Sequence, residues 1–479
     1  MKPSFILTIC AALIIGGCGS SGPAVTRGEQ QLGADQHPQL LAQFGGAYEG
    51  DEAAYMKRLG EQVAAAADLD RQCTFTLVNT DVVNAFAVPG CYIYVTRGLM
   101  SIINSEAELI SVLAHEVGHI TSNHNERQQR RSLIRGLGVA AISVLTGSER
   151  LSRMAGAAAG YFTLRYSRKH EHEADDRGLA YLRKLGYDPY AAAGMLSALA
   201  RHQLYLTSTR GRDEASRIPE WALTHPLTEN RIARMKAAAQ STGMRPNQLP
   251  ENEVAYLRTV DGLLYGDDPL QGFVTGRSFA HPVMRIGFEA PLGFTLTNSP
   301  QAIMIEGPDG LQGEFSGGSM PVGGLHAYAE NVMAELLRGA SVEVAPYTAA
   351  IVNGIPSLLL PAVVGTREGP VSVSVMAYQG PGSSAYYFII ISKPGPTPAS
   401  SIGELFGSFR LLGPEEVASL RARRIRTVRT APGDTVARLA ARMASDTPLA
   451  HFRMLNGLSP ADRLKPGDLV KLVTTVPVE

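Results

Sequence analysis

The chain has 479 residues, 45% of them hydrophobic, enough for more than one buried core and for roughly two to four domains. Lys plus Arg and Asp plus Glu are equal at 44 each, so net charge gives no electrostatic case for a nucleic-acid partner. A late run of arginines (Arg421, Arg423, Arg424, Arg426, Arg429) is the local exception, and it reads as a solvated linker.

The chain opens on a targeting segment, residues 1–17. Lys2 supplies positive charge, and Phe5 to Ile15 is an apolar run of roughly a dozen residues, the length of a signal core and too short to span a bilayer. Ile15-Gly16-Gly17-Cys18 resembles a bacterial lipobox. That resemblance implies a diacylated Cys18, and Gly19 after it implies anchoring at the outer membrane. Residues 18–45 are expected to be a tether, small and polar from Ser20 to Gln36. Of the other cysteines, Cys10 leaves with the signal. Cys73 and Cys91 remain in an oxidising compartment, where a disulfide is possible, although their spacing alone does not establish the geometry.

Residues 46–245 read as mostly helical with one small sheet. A helix is expected over Gly46 to Ala67. Three short strands follow, at Thr74 to Asn79, Asn84 to Val88 and Tyr92 to Thr96, with Pro89-Gly90 as a turn between the last two. Glu106 to Asn123 carries Leu109, Val112, Leu113, Val117 and Ile120 at helical spacing. Leu133 to Thr146 is apolar but short and contains Arg135, so it reads as a buried helix in preference to one that leans on a membrane surface. Further helices are expected at Glu171 to Leu185, Ala191 to Tyr205 and Thr228 to Gln240, the last entered through His225-Pro226.

Residues 246–278 read as a linker. Residues 279–414 then read as a separate α+β domain, with strands such as Val371 to Tyr378 and Ala385 to Ser392 and one helix near Gly324 to Arg338. Nothing in it suggests chemistry. Residues 426–474 contain Pro432-Gly433-Asp434-Thr435, a helix, Leu455-Asn456-Gly457-Leu458, Pro466-Gly467-Asp468 and a final strand Leu469 to Val473. This segment resembles a LysM module, with one extra residue before Pro432. The resemblance implies a βααβ fold and a peptidoglycan partner; the bland alternative is a packing unit without a ligand.

His115-Glu116-Val117-Gly118-His119 fits the H-E-x-x-H pattern on an amphipathic helix. Residues four apart share a helix face, so both imidazoles can hold one metal ion, and zinc suits such ligands. Glu116, beside the first His, can take a proton from water activated by that metal. A third ligand is required. Position 125 is Asn125, where another class of zinc protease has His, and His124 is expected to point away from the ligand face. Glu171 and Glu173, in Glu171-His172-Glu173-Ala174-Asp175, are the remaining candidates.

Asn84 to Gly90, Tyr92 to Leu99, the HEVGH run, Ser167-Arg168, Glu171-x-x-x-Asp175 and His225-Pro226 with Arg231 occur in this order. Together they resemble the HtpX/BepA-type gluzincin family, which includes the CAAX prenyl proteases. The resemblance covers about Glu49 to Gln240. It implies Glu171 as the third zinc ligand and Asp175 as the partner that fixes a ligand His. It implies His225 as a latch or transition-state contact, against a plain helix-entry residue. Arg231 is either a group of the site or a solvated helix residue. Asn84 and Ala85 are expected in a strand that binds extended substrate if it lies at a sheet edge.

The expected architecture is therefore multidomain α+β: a mainly helical zincin peptidase domain with a small sheet, an α+β domain, and a βααβ LysM-like module. The expected function is a zinc endopeptidase of the bacterial envelope acting on misfolded or misassembled proteins. Two rivals remain: a latched assembly factor or cell-wall scaffold, and a peptidoglycan hydrolase.

Overall fold

The computed structural model describes residues 25–125, 127, 166–209, 221, 225, 229–337, 342–366, 369–393 and 399–478. Residues 1–17, Cys18 and Leu133 to Thr146 lie outside them. Where a tether is expected, the chain instead forms helix α1 (Arg27–Gln43), closed by a capping box between Thr26 and Glu29. Leu40 and Phe44 bury against Val88 and Tyr94, and Gly33 lies where a Cβ would meet the Pro89 carbonyl at 2.3 Å. A small, polar composition misled here because the two apolar anchors come only at the end of the helix.

Next come α2 (Asp51–Ala66), β1 (Thr74–Val78), β2 (Ala85–Val88), β3 (Tyr92–Thr96), α3 (Arg97–Ile102) and α4 (Glu106–Thr121). The sheet order is β1-β3-β2, with β1 parallel and β2 antiparallel to β3. Among the described residues, strand β2 is thus at a sheet edge. Cys73 and Cys91 form a disulfide that ties the start of β1 to the turn before β3. Gly90 and Cys91 both have left-handed φ there, +84° and +59°, a conformation that glycine adopts without Cβ strain. Helices α5 (Arg168–Lys184), α6 (Ala191–Thr209) and α7 (Glu229–Ser241) complete the surroundings of α4. Every residue of α4 except Ile120 is buried, as in a helix that runs through the centre of a core rather than along its surface.

Residues 246–278 are not a free linker. Helix α8 (Glu253–Thr259) and strand β4 (Leu264–Tyr265) bury Tyr256, Leu257, Val260 and Leu263 in the same core as α4. The second unit begins at β5 (Phe273–Thr275), followed by β6 (Ser278–His281), β7 (Ile286–Glu289), β8 (Thr295–Asn298), β9 (Ile303–Glu306) and β10 (Gln312–Ser319). Helix α9 (Gly324–Leu336) precedes β11 (Val342–Val344), β12 (Thr348–Val352), β13 (Ile355–Thr366), β14 (Gly369–Gln379) and β15 (Ser384–Ser392). Helix α10 (Ala399–Gly407), strand β16 (Arg410–Leu411) and helix α11 (Pro414–Ser419) close the unit. Its large sheet runs β11-β13-β14-β15-β10-β9-β8, with β12 also on β13. Helix α9 covers one face, and β6, β7 and α10 contribute to the core on the other.

The C-terminal segment has the expected βααβ order: β17 (Arg421–Arg429), α12 (Val436–Ala440), α13 (Pro448–Leu455) and β18 (Leu469–Pro477). Its placement differs from that of a separate module. Ile425, Leu439, Phe452, Leu455, Leu472 and Val473 belong to the same buried core as α4, and β4 adds to its sheet through β17. The arginine run is strand β17 rather than linker, because Ala422 and Ile425 point into the core while Arg424 donates to the Gly262 carbonyl at 2.8 Å. Lys471 is fully buried and donates to the carbonyls of Ser101 (2.6 Å) and Ile103 (2.7 Å) at the end of α3.

His451 sits at this junction, stacked on Tyr205 at 5.2 Å and 2.7 Å from the Tyr265 hydroxyl. Burial pushes its pKa from 6.5 down to about 4. Between those values the unfolded chain binds the proton and the folded chain does not. Stability is therefore full above about pH 6.5 and falls as pH drops toward 4, by up to about 3 kcal/mol from this residue. Thermal melts across that range should show a smaller acid loss for His451→Phe than for wild type; equal losses would remove His451 from the account. No helix among the described residues is long and apolar enough to cross a membrane.

Candidate metal centre

Helix α4 starts at Ser105, whose hydroxyl accepts from Glu108 N at 3.1 Å, and carries His115, Glu116 and His119 into the core. Helix α5 starts at Ser167, which caps it through His170 N, one turn earlier than the sequence reading. The two helices approach closely through small residues. A Cβ on Gly118 would lie 2.8 Å from the Ala174 carbonyl, and one on Gly178 would lie 3.2 Å from His115 N. That contact sets Glu171 and Asp175 opposite the two histidines.

His115, His119, Glu171 and His225 offer ligand atoms that all lie within 4.8 Å of one another, and all four residues are buried. His115 Nε2 is 3.0 Å from His119 Nε2, 3.3 Å from His225 Nδ1 and 3.6 Å from Glu171 Oε2. Glu171 Oε1 is 3.5 Å from His119 Nε2 and 3.2 Å from His225 Nδ1. Four ligands placed tetrahedrally about 2.0–2.1 Å from zinc would be separated by about 3.3 Å, so the donor set fits one zinc ion. The chemistry fits as well. The Asp175 and Glu171 carboxylates outweigh burial and hold a proton on His115, with a pKa raised to about 10. A cation in the cluster replaces that proton. Burial and the adjacent His115 push His119 well below the ordinary histidine value, giving the neutral imidazole a metal requires.

The surrounding groups fix these ligands. His115 Nδ1 is 3.0 Å from Asp175 Oδ1. Arg231 donates to both Asp175 oxygens at 3.0 and 2.7 Å, and its Nη1 is 2.7 Å from Glu171 Oε2. Burial opposes ionisation of Asp175, but His115 and Arg231 hold its carboxyl at about 2. Glu116 lies outside the cluster. Its Oε1 is 3.5 Å from His225 Nε2, and burial raises its carboxyl above the usual range against the pull of His225 and His115.

Strand β2 lies beside this site at the sheet edge. Asn84 and Ala85 are both buried. Ala85 N donates to Asn84 Oδ1 at 2.9 Å, and the Ala87 carbonyl accepts from Asn125 Nδ2 at 3.4 Å. Side chains therefore already engage part of this strand's backbone.

Sequence reasoning missed the contacts of three residues: Tyr166, His124 and Glu173. Tyr166 stacks on His119 at 3.9 Å and donates to Asn125 Oδ1. His124 does not point away: α4 ends at Thr121, Asn123 turns the chain with φ +52°, and His124 Nδ1 comes back to 2.8 Å from His119 Nδ1. Glu173 is not in the cluster but lies 3.3 Å from His124 Nε2. A histidine just past the helix end was the available signal, and helical extrapolation hid it.

Residues 51–239 match Peptidase family M48. The beta-barrel assembly-enhancing protease of Yersinia pestis is 32% identical over 224 residues, covering 45% of this chain and 44% of that protein. The putative beta-barrel assembly-enhancing protease of Vibrio cholerae serotype O1 is 35% identical over 204 residues, covering 39% of each. The Escherichia coli K12 protein named beta-barrel assembly-enhancing protease is 30% identical over 213 residues, covering 42% of each. The chain thus spans less than half the length of these relatives.

Proposed function

We propose that the chain, whose residues 51–239 match Peptidase family M48, is a zinc endopeptidase of the bacterial envelope that cleaves misfolded or misassembled envelope proteins. The observation that carries this reading is the buried convergence of His115, His119 and Glu171 with Glu116 alongside. The names of the relatives support a link to beta-barrel assembly.

His115, His119 and Glu171 would hold the ion. Bound there, zinc supplies a Lewis acid that polarises a peptide carbonyl and acidifies water. Asp175 holds the Nδ1 proton of His115 and so keeps that ring's Nε2 lone pair on the ligand side. Arg231 holds Asp175 and Glu171 in register. Glu116 takes the proton of the attacking water and passes it to the leaving amine. Asn84 and Ala85 would guide extended substrate along the β2 edge.

His225 acts as a latch in this reading. Catalytic zinc sites keep one position open, and His225 Nδ1 stands among the ligand atoms. His225→Ala should then cleave unfolded protein faster than wild type, while slower cleavage would make His225 a transition-state contact. Cys18 would tether the chain to the outer membrane by lipid, and residues 426–474 would bind peptidoglycan. The Cys73–Cys91 disulfide supports an oxidising compartment.

Metal analysis and a casein assay test the core of the proposal. About one zinc per chain is expected, with cleavage lost to a chelator and restored by zinc. Absence of zinc from folded protein would overturn it, and release of muropeptides from purified sacculi would favour a peptidoglycan hydrolase.

A further inference from the structure

We propose that His124 and Glu173 form a relay behind His119 that fixes its tautomer and its aim at the metal, so that both are positioning residues of the centre. The assignment rests on the metal centre proposed above. His119 Nε2 faces His115 Nε2 at 3.0 Å, so a metal between them requires its lone pair there and its proton on Nδ1. Among the described residues, His124 Nδ1 faces that proton at 2.8 Å. A neutral His124 that accepts at Nδ1 carries its own proton on Nε2, which faces Glu173 Oε2 at 3.3 Å. The hydrogen-bond roles of the chain are thus set in one direction from ligand to carboxylate.

The geometry around the relay is built to hold it. His124 is fully buried, and its ring stacks on His170 at 4.4 Å with a 15° interplanar angle. His119 is held from another side by the Tyr166 ring at 3.9 Å. Glu173 is partly exposed and paired with Arg127 at 3.1 Å. The two ligand imidazoles are therefore backed alike. His115 reaches a carboxylate directly, Asp175 clamped by Arg231. His119 reaches one through an intervening imidazole, Glu173 paired with Arg127. Partners of this kind raise ligand basicity and fix ring orientation, and their loss typically weakens metal binding about 10–100-fold.

The test is the zinc dissociation constant of the full chain, measured by competition with a chromophoric chelator. His124→Leu keeps much of the volume and removes the acceptor. His124→Asn removes the ring but can place an amide oxygen near the position of Nδ1. Glu173→Gln changes only the partly exposed end. We expect zinc binding to weaken about 10–100-fold in His124→Leu, to recover most of that loss in His124→Asn, and to weaken by a smaller factor in Glu173→Gln. Equal affinity in wild type and folded His124→Leu would overturn the relay while leaving the zinc centre standing. Equal losses in the Leu and Asn variants would also overturn it, because packing alone would then account for His124. If His124→Leu does not fold, unchanged affinity in Glu173→Gln overturns the relay and weakened affinity supports it. A wild type that binds no zinc overturns the centre itself, and the relay with it.

Discussion

Glu116→Gln should retain zinc and the melting behaviour of wild type while losing casein cleavage by about 10²–10⁴-fold, the usual contribution of a positioned general base. Glu116 is next to a ligand in sequence but is not among the atoms that converge on the metal position, so its loss does not remove a ligand. It is almost wholly buried, and burial raises its carboxyl above the ordinary range, in the direction that makes a carboxylate a better proton acceptor at neutral pH. Glutamine has nearly the same shape and cannot accept the proton. Zinc content, thermal melting and cleavage measured together separate this from collapse of the site. A variant that keeps zinc and cleaves at the wild-type rate would remove Glu116 from the mechanism. One that loses cleavage but fully complements a deletion strain would show that the physiological role is that of a scaffold or assembly factor.

Removing residues after Leu420 should leave the peptidase domain unfolded and unable to retain zinc. The second large effect comes from the shared core. Ile425, Leu439, Phe452, Leu455, Leu472 and Val473 lie in one continuous cluster with Leu109, Leu113 and Val117 of α4, the helix that carries His115 and His119. Burying one such side chain fully stabilises by about 1.5–3 kcal/mol, and domains have only about 5–15 kcal/mol of net stability. Deleting six at once removes roughly 9–18 kcal/mol of burial, as much as or more than the whole net stability. Lys471 adds its two bonds to the end of α3, which the deletion would break. Phe452→Ala is the finer probe. It should lower stability by about 3–5 kcal/mol, and zinc should be released in the same transition as the core melts. A truncated chain that melts cooperatively near the wild-type temperature and holds zinc would show that the C-terminal segment folds apart from the peptidase.

This shared core bears on the proposed binding of peptidoglycan. The βααβ segment resembles a module able to act alone, but here one face of it is spent on the peptidase. Its loop residues Pro432, Gly433, Lys465, Pro466 and Gly467 remain exposed. A glycan could reach those loops without separating the segment from the core.

The local chemistry was legible in the residues because it depends on short spacing. Helical periodicity puts His115 and His119 on one face whatever surrounds them, and the β2–β3 hairpin follows from turn residues and alternation, whereas the βααβ order rested on the resemblance to a LysM module. Four things could not be read there, because each depends on how the chain turns or packs rather than on the spacing of residue types. The close approach of α4 and α5 across Gly118 and Ala174 places Glu171 in the ligand cluster and Glu173 outside it, a choice that sequence alone left to family resemblance. The reversal at Asn123 brings His124 back against His119, where continuing the helix would have carried it away. Strand order β1-β3-β2 makes β2 an edge, since hydrophobic alternation marks a strand but not its neighbours. The supposed tether, linker and terminal module proved to be parts of packed cores, because composition records how polar a segment is, whereas burial is decided by the surface it meets.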